Sequence, residues 1–289
     1  MNSETAKAYR SLAAHFYATR LPGVPEDQLN DLNIIGELLR AATEYRPDYF
    51  RRLRNALAHD QETRGNFGIA HEINRTLNPV TVLGLKKKAK RRLPRGISDD
   101  DLQRWLHQLT ENGLLVEAGA LLLVTMTGAR PCELGGIRVT GNRILIPGAK
   151  RSHGGLRGAD RILEASTDYC SWVRNAVGAF HSEPKSLDAI RMGIRAVAKQ
   201  VFGEKKAPSM YTLRHQFGAN LKATGMSRKA MAYIMGHQST DSLARYGNKR
   251  WGRAEAIQVR PAVDADMSNI RKTHEYRPSV RSKEAKMMR

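Results

Sequence analysis

Between residues 210 and 250 the chain reads MYTLRHQFGANLKATGMSRKAMAYIMGHQSTDSLARYGNKR, which sets Arg214, His237 and Tyr246 among apolar residues at helical spacing and glycine stops. A guanidinium can grip two oxygens of an anion at once, as an ammonium cannot. An imidazole can hold or pass a proton near neutral pH, and a phenol can attack and store a broken bond. Such groups could carry group transfer at a phosphate, provided that the fold makes them converge. The elements around them look built to aim them. Leu213, Phe217 and Leu221 form a stripe at i, i+4 and i+8, with Tyr211, Arg214 and Gly218 on a different face. Gly225 and Ser227 end that helix and cap the next one, whose Ala230, Met231, Ile234 and Met235 are core-like and which Gly236 stops just before His237. A short helical stretch capped by Thr240 or Asp241 then leads to Tyr246 and halts at Gly247.

The bulk of the chain points to the same kind of partner. Lys and Arg outnumber Asp and Glu 48 to 28, a formal charge of +20 over 289 residues, while 41% hydrophobic residues is ordinary for a folded protein. Such an excess predicts a polyanionic partner. Cys132 and Cys170 are too few for a disulfide framework or a zinc cluster. The N-terminus lacks the order of a signal peptide, and the apolar run at 118–126 is far too short to span a bilayer. The expectation is a soluble cytoplasmic protein, nucleoid-associated if its polyanionic partner is DNA, with no membrane partner.

The pattern along the chain predicts a mainly α fold of two domains, with a small antiparallel β-sheet in the second. Ala6, Tyr9, Leu12, Ala13, Phe16 and Tyr17 make one face of a helix that starts near Ser3, and further helices are expected over 27–44, 47–58 and 65–76, punctuated by Pro25, Pro47 and Gly65. This is a helical domain over 1–85. Residues 86–97 then hold seven basic residues, Lys86, Lys87, Lys88, Lys90, Arg91, Arg92 and Arg95, with Pro94 and Gly96, which suits an extended linker lying on phosphates. Ser98 caps a helix whose first turn is acidic and whose buried face is Leu102, Trp105, Leu106 and Leu109. It opens a second domain over 98–270. There VEAGALLLVTMTG reads as a buried helix stopped at Gly128, NRILIP and DRILEA as two strands around a glycine-rich turn, and most of 165–246 as helices. Residues 271–289 read as a basic C-terminal tail.

At this point the sequence resembles the tyrosine recombinases, the phage-integrase-like enzymes that cut and rejoin DNA. TGARPCELGGI at 127–137 resembles the family's first box, with Arg130 as its arginine and Glu133 in the accompanying acidic position. YTLRHQFGANL at 211–221 resembles the second box with Arg214, MGHQS supplies His237, and Tyr246 follows nine residues later at the family's usual spacing. The turn ILIPGAKRSHGG matches where the family keeps a lysine; Lys150 fits it best, with Arg151 and Arg157 on the same turn. One departure stands out: Tyr211 occupies the second-box position that is usually His or Lys.

The resemblance implies a two-domain clamp on double-stranded DNA, a homo-tetramer on that DNA, sequential strand exchange, and accessory DNA-bending proteins in some systems, with no cofactor and no metal. The expected catalytic set is Arg130, Lys150, Tyr211, Arg214, His237 and Tyr246. Breaking a phosphodiester without metal or ATP needs a nucleophile that stores the bond, cations for the non-bridging oxygens and an acid for the departing 5′ hydroxyl. Tyr246 would attack, Arg130 and Arg214 would grip the oxygens, Lys150 would protonate the leaving oxygen, and His237 would bond the phosphate or help with the nucleophile's proton. Two rivals predict other outcomes. A DNA-binding protein that kept the fold without the chemistry, the reading that Tyr211 motivates, would bind without covalent adducts. A type IB-like topoisomerase would relax any supercoiled DNA.

Overall fold

A computed structural model describes residues 3–89, 94–148 and 160–271. The chain divides into two compact units, Met1–Arg92 and Leu93–Arg289, each around its own apolar core.

The described residues of the first unit form five helices: α1 (Ser3–Arg20), α2 (Asp31–Arg40), α3 (Pro47–Thr63), α4 (Phe67–Arg75) and α5 (Pro79–Val82). Ala13 and Phe16 of α1 pack with Ile34, Leu38, Phe50, Leu53, Leu57 and Ile73, so the apolar stripes read from the sequence meet in one core. The helix expected over 27–44 starts later. The Asn30 side chain accepts the Asn33 N–H at 3.0 Å and the Asn33 side chain accepts the Asn30 N–H at 3.1 Å, a capping box that fixes the first turn at Asp31. α3 runs past 58 to Thr63, and α5 was not foreseen; Asn78 caps it and Pro79 supplies its first residue. Lys86, Lys87 and Lys88 are exposed after it, whereas Lys90, Arg91 and Arg92 lie outside the described residues.

In the second unit, α6 (Asp99–Glu111) begins at the Ser98 cap, whose hydroxyl accepts the Asp101 N–H at 3.1 Å, and buries Leu102, Trp105 and Leu109. α7 (Leu115–Thr127) is the centre of the core. Nine of its thirteen residues are buried, and α8 (Thr167–Phe180) approaches so closely that a Cβ at Gly119 would lie 2.6 Å from the Phe180 nitrogen. Burial of Val116, Leu121, Leu123 and Val124 contributes roughly 1.5–3 kcal/mol each. α9 (Leu187–Phe202) closes one side of this core, and α10 (Met210–Ala223) and α11 (Arg228–Ile234) carry the candidate residues.

The sheet is antiparallel in the order β1 (Arg138–Thr140), β2 (Arg143–Ile146), β3 (Arg161–Glu164), β4 (Arg260–Pro261). β2 and β3 are the two strands read from the sequence. Val139, Ile144 and Leu163 stand side by side across the ladder, and Ile144, Ile146 and Leu163 are fully buried. β1 and β4 escaped notice because three residues, and two that include a proline at the sheet edge, are too short to show alternation. Residues 149–159, with Lys150, Arg151 and Arg157, and most of the expected basic tail, from 272 on, lie outside the described residues. No helix among the described residues is long and apolar enough to cross a membrane.

Candidate active site

Three chain turns bring the candidate residues together, and each turn has a local cause. α7 ends at Gly128, in the left-handed region at φ 62°, and the chain then turns so that Arg130 begins a 3₁₀ helix over Pro131–Gly136. Glu133, three residues on, folds back. Its carboxylate accepts the Arg130 main-chain N–H at 2.8 Å and Nη1 of the Arg130 side chain at 2.6 Å. The other Arg130 terminal nitrogen, Nη2, donates to the carbonyl of Gly236 at 2.9 Å, tying this turn to the end of α11.

That end is a Schellman turn. The His237 N–H donates to Ala232 O at 2.8 Å and the Gly236 N–H to Tyr233 O at 2.8 Å, with Gly236 at φ 62°. Gly236 is needed twice over, for the left-handed backbone and because a Cβ there would lie 2.7 Å from Nη1 of Arg161. The turn aims the His237 ring inward, where it is 6% exposed.

Arg214 comes from the middle of α10 and is fully buried. It donates to the carbonyls of Gly128 and, at 2.6 Å, Met235, and Nη2 stands 3.2 Å from Nε2 of His237. A guanidinium can only donate, so Nε2 of His237 accepts and the imidazole proton sits on Nδ1. Tyr246 follows a 3₁₀ helix over Thr240–Arg245. The Ser239 hydroxyl caps that helix by accepting the Asp241 N–H at 3.3 Å, a role expected of Thr240 or Asp241. The half-buried Tyr246 ring lies 5.0 Å from the His237 ring and 5.1 Å from the His215 ring, with Cζ of Arg214 5.0 Å from its centroid. Arg130, Arg214, His237 and Tyr246 are therefore neighbours, as convergence requires.

One expected member stands apart, and another is not among the described residues. Tyr211 lies on the first turn of α10, 47% exposed, and among the described residues makes no hydrogen bond or ring contact with the cluster. Lys150 falls outside the described residues; the flanks of its turn are bonded to one another, the Asp160 carboxylate accepting the Gly148 N–H at 2.8 Å, and Ile146 pairs with Arg161.

Arg161 was not singled out in the sequence, and it is the third arginine of the cluster. It is 1% exposed and donates Nη2 to Glu133 at 2.8 Å, while Nε and Nη1 have no hydrogen-bond partner among the described residues. The Glu133 carboxylate thus bridges Arg130 and Arg161. Burial pushes that carboxyl up, but the charge and hydrogen bond of Arg161, backed by Arg130, outweigh burial and hold it at about 2. Burial pulls the Arg161 guanidinium down against the Glu133 carboxylate, and burial together with Arg130 and Arg161 pulls Arg214 down to about 10, against Tyr246. Arg214 keeps its proton at neutral pH. Burial, then the charges of Arg214, Arg130 and Arg161, push His237 down to about 2, so the imidazole is neutral. Among the described residues of the cluster, three guanidiniums share one carboxylate, an excess of two positive charges. Buried donors, Nε of Arg214 and of Arg161 among them, have no hydrogen-bond partner among the described residues. The arrangement is charged and shaped to receive an anion.

No family model and no curated protein matches the sequence. Solved structures do. The chain superposes on a lambda integrase tetramer bound to a Holliday junction with a TM-score of 0.58 at 16% identity, over 86% of this chain and 73% of that one. A lambda integrase (75-356) dimer bound to a COC′ core site gives 0.57 at 16% identity, over 85% and 89%. The Tn1549 transposon integrase (aa 82-397) in complex with circular intermediate DNA gives 0.52 at 14% identity, over 99% and 94%. All three are tyrosine recombinases, and the likeness shows that this chain has their fold.

Proposed function

We propose that this chain, with the tyrosine recombinase fold, is a site-specific recombinase that cuts and rejoins double-stranded DNA through a 3′-phosphotyrosine. The observation that carries this reading is the convergence of Arg130, Arg214, His237 and Tyr246 in one largely buried cluster of net positive charge. A scissile phosphate in the cluster would meet the unpaired guanidinium donors, which offset the charge that builds on its non-bridging oxygens during attack. The Tyr246 oxygen attacks phosphorus and gives up its phenolic proton to water, the bond to the 5′ oxygen breaks, and that oxygen takes a proton as it leaves. Lys150 is the proposed acid. The neutral His237, its Nε2 occupied by Arg214, presents Nδ1–H as a donor to the phosphate; this favours phosphate binding over proton abstraction for His237. One phosphoester replaces another, so religation by a 5′ hydroxyl is the same step reversed and needs no energy source.

The exposed basic residues Lys86, Lys87, Lys88 and Arg95, with Lys90, Arg91 and Arg92, supply backbone contacts to DNA. A homo-tetramer synapsing two sites, assisted in some contexts by DNA-bending proteins, fits DNA held as in the lambda integrase tetramer. A second reading, DNA binding without chemistry, is favoured by one observation, the separation of Tyr211 from the cluster. Nicked suicide duplexes made from the host element's DNA decide between them. The proposal expects a covalent protein–DNA adduct on a denaturing gel that Tyr246→Phe abolishes while DNA binding persists. Specific binding with no adduct from the unaltered protein would leave the binding-only reading.

A further inference from the structure

The main chain from Tyr246 to Arg253 is fastened to α10, the helix that carries Arg214. Lys222 donates its ammonium to the carbonyls of Tyr246 and, at 2.6 Å, Gly247. Further along, the Gln216 amide donates to the carbonyl of Trp251 at 2.8 Å and to the Asn220 side chain at 2.8 Å, and the same Asn220 oxygen accepts the Arg253 N–H at 3.0 Å. Gln216 and Asn220 are both buried, four residues apart on one face of α10, which is where i and i+4 side chains meet.

The backbone lies against the helix because glycines leave room for it. A Cβ at Gly218 would come within 2.9 Å of the Tyr246 Cβ, one at Gly247 within 2.5 Å of the Ala219 Cβ, and one at Gly252 within 2.7 Å of the Ala219 carbonyl carbon. Three polar side chains therefore hold residues 246–253 by main-chain atoms alone. The bonds are indifferent to which side chains that segment bears, and they set how far Tyr246 stands from Arg214.

We propose that Gln216, Asn220 and Lys222 are positioning residues that strap the segment bearing Tyr246 onto α10, so that the phenol stays in register with the Arg214 guanidinium. This rests on the reading of Tyr246 as the nucleophile. None of the three touches the reacting atoms, and their action runs through the backbone of Tyr246, Gly247, Trp251 and Arg253.

The test compares Lys222→Met, which keeps the aliphatic stem and removes the donor, with Lys222→Arg, which restores it. Lys249 and Arg250 are exposed within the strapped segment, so trypsin cuts there, mapped by mass, report how often it lifts. The expected result for Lys222→Met is cutting after Lys249 or Arg250 faster by about tenfold, the order that loss of one or two hydrogen bonds produces. Adduct formation on nicked duplexes falls at least as much, DNA affinity is unchanged, and Lys222→Arg recovers most of both effects. Wild-type cutting rates in Lys222→Met would overturn the strap. Faster cutting with an unchanged adduct rate would overturn its positioning role. If the unaltered protein forms no adduct at all, the recombinase reading fails while the proteolysis arm still decides whether the strap exists.

Discussion

Replacing Glu133 by glutamine tests the electrostatic core of the site at a single atom pair. The carboxylate is 2% exposed and bridges two guanidiniums, so the substitution keeps shape while removing the only buried negative charge the cluster has among the described residues. A shift from an ordinary 4.5 to about 2 corresponds to about 3 kcal/mol of stability at neutral pH. A glutamine would also turn its NH₂ group toward one of two arginines that can only donate. The sign follows from the depressed value. The contribution is complete above pH 4.5, where the unfolded chain is ionised too, and is lost as pH falls toward 2. By pH 3 about 2 of the ~3 kcal/mol is gone, because the unfolded carboxyl has taken up its proton and the folded one has not. All three tryptophans, Trp105, Trp172 and Trp251, lie in the second unit, so their fluorescence during guanidinium unfolding reports that unit alone. The expected outcome is a loss of about 3 kcal/mol in Glu133→Gln at pH 7 that shrinks to about 1 kcal/mol at pH 3. A loss below about 1 kcal/mol at pH 7, or one that stays constant with pH, would refute the account of Glu133 as the counter-charge that orders Arg130 and Arg161.

His237, held down to about 2, must lose stability as pH falls below 6.5, since only the unfolded imidazole then binds a proton; each pH unit costs about 1.4 kcal/mol. Unfolding titrations of the unaltered protein against His237→Gln should show that slope between pH 6.5 and 4.5 in the former alone, and parallel curves would contradict a buried neutral ring. The surplus positive charge predicts that sulfate or phosphate stabilises the second unit, by about 2.7 kcal/mol at a hundredfold excess over Kd. The melting shift should exceed that of sodium chloride at equal ionic strength and vanish in Arg130→Gln. Gly236→Ala meets both a left-handed backbone and Arg161 at 2.7 Å, and should cost about 1–3 kcal/mol in the same unfolding assay. DNA affinity should fall steeply and linearly in log salt, and Lys87→Ala should lower the slope by about 1.

What the sequence disclosed and what it withheld divide along a physical line. Arg130, Arg214, His237 and Tyr246 were legible because each sits where a local rule breaks the chain: the glycine that stops α7, the middle of an amphipathic helix, a Schellman turn, the end of a capped 3₁₀ helix. Helices of ten residues or more repeat their apolar period often enough to be found, whereas β1 and β4 do not. Arg161 stood in the string DRILEA as one more basic residue beside a basic turn. Its importance lies in Glu133, 28 residues upstream in sequence and 2.8 Å away in space, and no local signal could have joined them. Lys222 reads as a solvated lysine near a helix end, and only the path of 246–253 over α10 makes it a clasp. Tyr211 shows the converse, a residue legible by position in a motif that stands on the exposed side of its helix. Groups suited to touch a phosphate are constrained by chemistry and announce themselves by type, while those that fix where such groups stand act through long-range contacts that composition and periodicity do not encode. The catalytic proposal therefore depends most on residues whose partners the sequence alone does not reveal. The clearest trial of it is whether disabling Glu133 or Lys222, neither of which is given a step in the reaction, slows the chemistry without weakening the hold on DNA.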